Sequence, residues 1–147
     1  MKNQKGFTMI ELLLTISIIA ILYAMVVFII DPETRFQETR NAERSVEIHT
    51  ILNAIHQYRV DNNGNLPTTI TQTQTEICKT NALDCTGLID LSILTTNEEY
   101  LVDIPLDPSG VCDPNGVCYE IKKSGNSGRI TVIAPDAEAG ETISVKR

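Results

Sequence analysis

The chain has 147 residues, 42% of them apolar, and a formal net charge of −7. That acidity argues against a nucleic-acid-binding surface, which needs a basic patch, and with no Trp and only 5% aromatic residues a base-stacking platform is equally unsupported. Once the N-terminal apolar stretch is set aside, the 117 residues from 31 to 147 suit one small domain with a modest core.

The chain begins Met1-Lys2-Asn3-Gln4-Lys5-Gly6, and the run from Phe7 to Ile30 that follows holds 24 residues with one charge, Glu11. As a helix this run spans ~36 Å, enough to cross a hydrocarbon core of ~30 Å with some tilt. Lys2 and Lys5 predict a cytoplasmic N-terminus and an extracytoplasmic remainder. A cleaved secretory signal is a poorer fit, because the run ends Val27-Phe28-Ile29-Ile30-Asp31-Pro32 without a small-x-small site. A plain signal anchor explains the length and the lysines, but leaves Glu11 and the Gly6-Phe7 junction without a purpose. A carboxylate in a membrane-length stretch is costly and reads as functional. Lying about one turn in, Glu11 can also snorkel to the interface.

Lys5-Gly6-Phe7-Thr8-Met9-Ile10-Glu11-Leu12-Leu13 resembles the prepilin cleavage and methylation signature of type IV pilins and type II secretion pseudopilins. The resemblance implies a leader at 1–6, an assembly helix at 7–30 and an extracytoplasmic pilin-like domain at 31–147. It also implies cleavage by a prepilin peptidase between Gly6 and Phe7, and methylation of the new Phe7 amine. The family reading has Glu11 meet the amine of an adjacent subunit during assembly. The spacing is compatible, since residues 7 and 11 share a face if both are helical. Loss of Lys2 and Lys5 would take the processed chain to −9.

Asp31-Pro32 interrupts the first helix in one of two ways. The helix runs on with a kink, so that 7–60 forms one rod of ~80 Å, or it stops and restarts with Asp31 as N-cap and Pro32 in the first position. From Glu33 to Val60 the pattern is amphipathic. Val46, Ile48, Ile51, Leu52, Ile55 and Tyr58 follow three- and four-residue spacing, with Arg40, Glu43, Arg44 and Glu47 among the polar positions. Asp61-Asn62-Asn63-Gly64-Asn65 stops the helix.

Residues 68–75, rich in Thr and Gln, read as loop or edge, and a short helix is predicted over 88–94. Three segments, 117–123, 129–134 and 142–146, alternate and are rich in β-branched residues. Ser124-Gly125-Asn126-Ser127-Gly128 joins the first two as a hairpin. Three or four antiparallel strands result, one sheet face covering the apolar stripe of the helix, so the fold class is α+β.

Cys78, Cys85, Cys112 and Cys118 all fall on the outer side, where an even count favours disulfides. Three pairings are possible. Local spacing favours Cys78–Cys85 and Cys112–Cys118, the second closed by the Asn115-Gly116 turn. The spacings do not match zinc pairs, and free thiols are the remaining alternative. His49 and His56 stand two turns apart, ~10.5 Å, too far for one metal, and read as surface residues. No nucleophile elbow, phosphate loop or His–Cys pair is present, so no enzyme is expected. Asp107 and Asp113 read as turn residues.

The second half, with Asn-Gly-x-Leu-Pro from Asn63 and Tyr-Leu-x-x-Ile-Pro-x-Asp-Pro from Tyr100, is similar to the major pseudopilins, although 68–98 matches them poorly. That similarity implies a calcium loop at 135–141, with Asp136, Glu138 and Glu141 as the carboxylates. Three carboxylates over six residues leave backbone carbonyls to supply much of a six- to eight-oxygen shell, and a solvated acidic loop is the plainer reading. No other cofactor is implied. The partners implied are membrane lipid before assembly, a prepilin peptidase/methyltransferase, an inner-membrane assembly platform, and other pilin subunits in a homo- or hetero-oligomeric filament. The filament would stand on the cell surface as a pilus or in the periplasm as a pseudopilus. The rival function is a singly anchored extracytoplasmic binding module that does not polymerise.

Overall fold

The computed structural model describes residues 6–29 and 31–147; Lys2, Lys5 and the rest of 1–5, and Ile30 at the end of the apolar run, lie outside the described residues. Two compact units part between Phe36 and Gln37. In the first, α1 (Met9–Ile29) is apolar around its whole circumference and none of its side chains is buried. Its 21 residues span about 31 Å. The hydroxyls of Thr15 and Ser17 donate to the carbonyls of Leu12 (2.8 Å) and Leu13 (2.7 Å). Those bonds satisfy two polar groups inside the helix, as a membrane span requires.

The helix stops and restarts. Asp31 is non-helical, and α2 (Pro32–Asp61) begins at the proline. Asp31 is its N-cap: one carboxylate oxygen accepts the Glu33 N–H at 3.2 Å, and the other accepts the Thr34 hydroxyl at 2.7 Å. Proline fits here because its missing N–H would have had no partner in the first turn. The single continuous rod is therefore replaced by two helices. The restart is one residue before the predicted 33, and the end, Asp61, one beyond the predicted 60.

The second unit is the head. Residues Ile48, Ile51, Leu52, Ala54 and Ile55 of α2 enter its core, but Val46 does not and stays 66% exposed. The buried stripe continues towards the N-terminus through Arg44, read from sequence as a polar position between the apolar ones, and Asn41. Four strands form one antiparallel sheet in the order β1 (Thr75–Cys78), β2 (Gly116–Lys123), β3 (Ile130–Ala134) and β4 (Ile143–Lys146). The last three are those predicted, within a residue at each end. Thr75, Ile121, Val132 and Val145 align across the sheet. Successive side chains alternate faces, so Val117, Tyr119, Ile121, Ile130, Val132 and Ala134 all point into the core with the α2 stripe. Glu120, Lys122, Thr131, Ile133, Ser144 and Lys146 take the opposite, outer face.

Residues 68–98 pack into the head. They contribute β1 and the fully buried Ile70, Ile77, Leu91 and Leu94. Ile89 bridges to Ile77 in parallel, exchanging hydrogen bonds with Glu76 and Cys78 at 2.8 and 2.9 Å. The helix predicted over 88–94 shrinks to a 3₁₀ turn at Ser92–Leu94, whose start is held by Asp90 accepting the Ser92 N–H at 2.8 Å. An aspartate offering its own backbone such a turn competes with a longer helix.

Both disulfides sit where β1 meets the start of β2. Cys78 bonds Cys85 and Cys112 bonds Cys118, with Cα separations of 5.6 and 5.1 Å. Cys78 also lies opposite Gly116 across a bulge. Cys118 has a left-handed φ of 64°, and its N–H is taken by the Glu76 carboxylate at 2.8 Å. A Cβ at Gly116 would lie 2.0 Å from that carboxylate, so a larger residue there would push the Glu76 side chain off the Cys118 N–H. Non-reducing peptide mapping of the full chain should recover Cys78 linked to Cys85 and Cys112 linked to Cys118. Replacing Cys112 and Cys118 together by Ser should cost about 2 kcal/mol in urea unfolding, the loop-closure value for so short a ring.

Candidate functional site

The processing and assembly residues lie at the start of the first unit. Gly6, Phe7 and Thr8 are non-helical, and Phe7 is 79% exposed. Thr8 is the N-cap of α1: its hydroxyl accepts the Glu11 N–H at 3.3 Å, and its carbonyl accepts the Leu12 N–H at 3.2 Å. Glu11 therefore stands in the first turn, where the helix dipole favours a carboxylate. Phe7 and Glu11 do not share a helical face, because the helix starts two residues after Phe7. Sequence reasoning missed Thr8, although Thr8-x-x-Glu11 is a capping-box pattern and could have marked the start of the helix.

The acidic loop holds a different chemistry from the calcium site that the resemblance implied. Asp136, Glu138 and Glu141 do not converge, and among the described residues no three His, Cys, Asp or Glu side chains are placed to hold a metal. Glu138 is engaged by two guanidinium groups: Arg40 donates twice, at 2.6 and 2.5 Å, and Arg44 once, at 2.8 Å. Asn41 donates to the Glu138 carbonyl at 2.9 Å and accepts the Glu138 N–H at 3.0 Å. Glu141 receives the same Asn41 amide at 3.3 Å, and Asp136 lies elsewhere, beside Asp113 and Glu120. A carboxylate neutralised by two arginines has little left to offer a cation.

Behind Glu138 lies a fully buried ion pair. Arg44 donates to both oxygens of Asp107, at 2.7 and 3.0 Å, and both side chains are 0% exposed. Asp107 also accepts from the N–H and hydroxyl of Ser109, at 2.8 and 2.6 Å. It is a turn residue, as read from sequence, and also the counter-ion of a buried arginine. Burial pushes the Asp107 carboxyl up, but Arg44 and Ser109 together hold it below its ordinary value. Hydrogen bonds from Arg40 and then Arg44 bring Glu138 down to about 2. Glu47 goes the other way: burial raises it, despite a hydrogen bond from the Tyr119 hydroxyl. His49 is exposed as expected, but His56 is only half-exposed, with its Nε2 buried and without a hydrogen-bond partner. Burial, then Arg147 and Arg59, lower its pKa.

Arg44→Ala strands Asp107 as a buried charge and should cost about 3–5 kcal/mol, read as the urea midpoint of the full chain in detergent. Arg40→Ala, at a partly exposed and solvent-screened pair, should move the urea midpoint far less than Arg44→Ala. The pH dependence follows from the same groups. Glu138 and Asp107 have lowered folded-state pKa values, so their contribution is complete at neutral pH. It is lost as pH falls from the unfolded carboxylate range near ~4 towards 2. Glu47, raised in the folded state, takes up its proton first and opposes any loss near pH 5. The urea midpoint should therefore be level between pH 7 and 5 and drop steeply by pH 3.

Residues 1–29 match the family model of the prokaryotic N-terminal methylation motif. No curated protein and no solved structure matches the chain significantly. The matched residues contain the Gly6-Phe7 junction, the Thr8 cap and Glu11, and from Met9 to Ile29 they form a helix with no buried face. The chain thus carries the prokaryotic N-terminal methylation motif, over residues 1–29.

Proposed function

We propose that this chain is the structural subunit of a type IV pilus-like or type II secretion pseudopilus filament. It is inserted in the membrane with its N-terminus cytoplasmic and its head outside, as a leader at 1–6, an assembly helix at 7–30 and a head at 31–147. A prepilin peptidase cuts between Gly6 and Phe7, the Phe7 amine is methylated, and an inner-membrane platform moves the chain from lipid into the filament. The observation that carries this reading is α1, which lies within the residues matched by the methylation motif and has no buried side chain. Such a helix needs lipid or other helices around it, and the motif supplies a route from the first to the second. In the filament the α1 helices pack together, and the heads form the outer shell. Glu11 meets the Phe7 amine of a neighbour, an ion pair that sets register.

Two substitutions test separate steps. A Cβ at Gly6 would meet nothing within 4 Å, so Gly6→Val should leave the fold intact and block only the cut. Intact mass should show the uncut precursor in membranes, against a methylated Phe7 start for the unsubstituted chain exposed to the cognate peptidase. Glu11→Ala should be inserted and cut normally, yet yield at least tenfold less filament in the sheared fraction. Normal filament yield from Glu11→Ala would remove the register role.

A further inference from the structure

The head is electrically divided along the strands of its sheet. Arg59, Lys122, Lys123, Arg129, Lys146 and Arg147 gather at the end defined by the finish of β2, the beginning of β3 and the finish of β4. Arg59 and Arg147 meet there around His56. These are six of the ten lysines and arginines among the described residues, in a chain of net charge −7. None of the six forms an ion pair with a described residue, whereas Arg40 and Arg44 are paired. Towards the other end, Glu76, Asp113, Glu120 and Asp136 line one groove between the Cys112–Cys118 loop and the turn after β3. Glu76 and Asp113 accept backbone N–H groups and Glu120 accepts from Gln74, but no lysine or arginine contacts any of the four carboxylates among the described residues.

The length of β2 separates the two ends by about 23 Å. Lys122 and Glu120 lie nearer, two positions apart and both bonded to Gln74. The far members, Arg129 and Lys146 against Asp113 and Asp136, stand about 20 Å apart along the strands. That is beyond the Debye length of ~8 Å at physiological salt, and they do not neutralise each other within one head. We infer that they dock head to tail: the basic end of one copy seats on the Glu76–Asp113–Glu120–Asp136 groove of the next copy. The occupant is a second copy because the chain itself presents both halves of the match. Two different patches in contact make a heterologous interface, which propagates as an open helical array when the rotation does not close. The inference rests on the filament reading and gives it a contact outside the apolar helices.

The test uses two doubly substituted, peptidase-processed full chains. Arg129→Glu with Lys146→Glu makes the basic end acidic, and Asp113→Lys with Asp136→Lys makes the acidic groove basic; all four positions are exposed. Each variant must first show both disulfides and an unchanged urea midpoint. Juxtaposed like charges cost several kcal/mol, so either variant alone should give at least about tenfold less filament. Co-expressed, the two present complementary ends again and should recover most of the yield. Carbodiimide coupling in filaments of mixed isotopic label should join Lys122 or Lys146 of one copy to Asp113 or Asp136 of another. Normal filaments from each variant alone, or couplings only within a copy, would overturn the docking and leave the filament reading standing. A processed, unsubstituted chain that stays monomeric would sink both. Retention of a polyanion by the basic end, with assembly indifferent to the substitutions, would reassign that end to an anionic polymer.

Discussion

The head depends on the buried pair between Arg44 and Asp107. α2 reaches the core with only a short apolar stripe, and its N-terminal continuation along the same face is polar, Asn41 and then Arg44. Burying a guanidinium is costly unless every donor finds an acceptor. Here Asp107 takes two donors while Asn41 and Glu138 share a third nitrogen, Nη1. The acceptors come from three places far apart in sequence: the helix itself, the turn before β2 and the turn between β3 and β4. The pair therefore joins the helix to both loops at one end of the sheet, where the aliphatic core gives out. Geometry more than energy is gained, since an apolar substitute of equal volume would hold the parts together with less constraint on their register.

At the opposite end of the helix the attachment is apolar. Ile51, Leu52 and Ile55 pack in one cluster with Ile121, Ile130 and Val132, and Tyr58 meets Tyr100 edge to face at 5.7 Å between ring centres. The two disulfides close a third corner, near the Gly116 bulge. The sheet is thus held to its helix by three kinds of force in three places, with the charged pair, the apolar cluster and the covalent links each covering ground that the others do not. This distribution suits a domain whose core is small for its surface.

The regular elements were legible in sequence because they obey simple periods. Alternation located β2, β3 and β4, and the Asp31-Pro32 and Asp61–Asn65 signals located the ends of α2. The motif at Gly6 and Phe7 is local and needs no fold to be read. What escaped was set by tertiary contact. Arg44 looks like any solvent-facing arginine until Asp107, 63 positions away, is brought against it. Glu138 belongs to a chain of acids that a calcium ion would suit, and only the fold reveals that two arginines already occupy it. Residues 68–98 have no sustained period, so the buried Ile70, Ile89 and Leu91 could not be told from loop residues. Thr8 was a different kind of miss, since its capping pattern is local and readable.

Thr8 also determines what the proposed cut after Gly6 would leave behind. The first helical hydrogen bond accepts on the Thr8 carbonyl, and the first side-chain cap is the Thr8 hydroxyl. Both belong to the portion that begins at Phe7. The peptide bond between Gly6 and Phe7 lies upstream, in backbone without helical pairing, so a protease can bind that segment extended without unwinding a turn. The proposed scission would delete no helical hydrogen bond of the described residues and would open no frayed end. It would add a positive charge next to the positive pole of the helix, where a cation is disfavoured. Thus the freshly cut end would be mechanically finished but electrostatically unsettled, and Glu11 in the first turn is the nearest group of opposite sign.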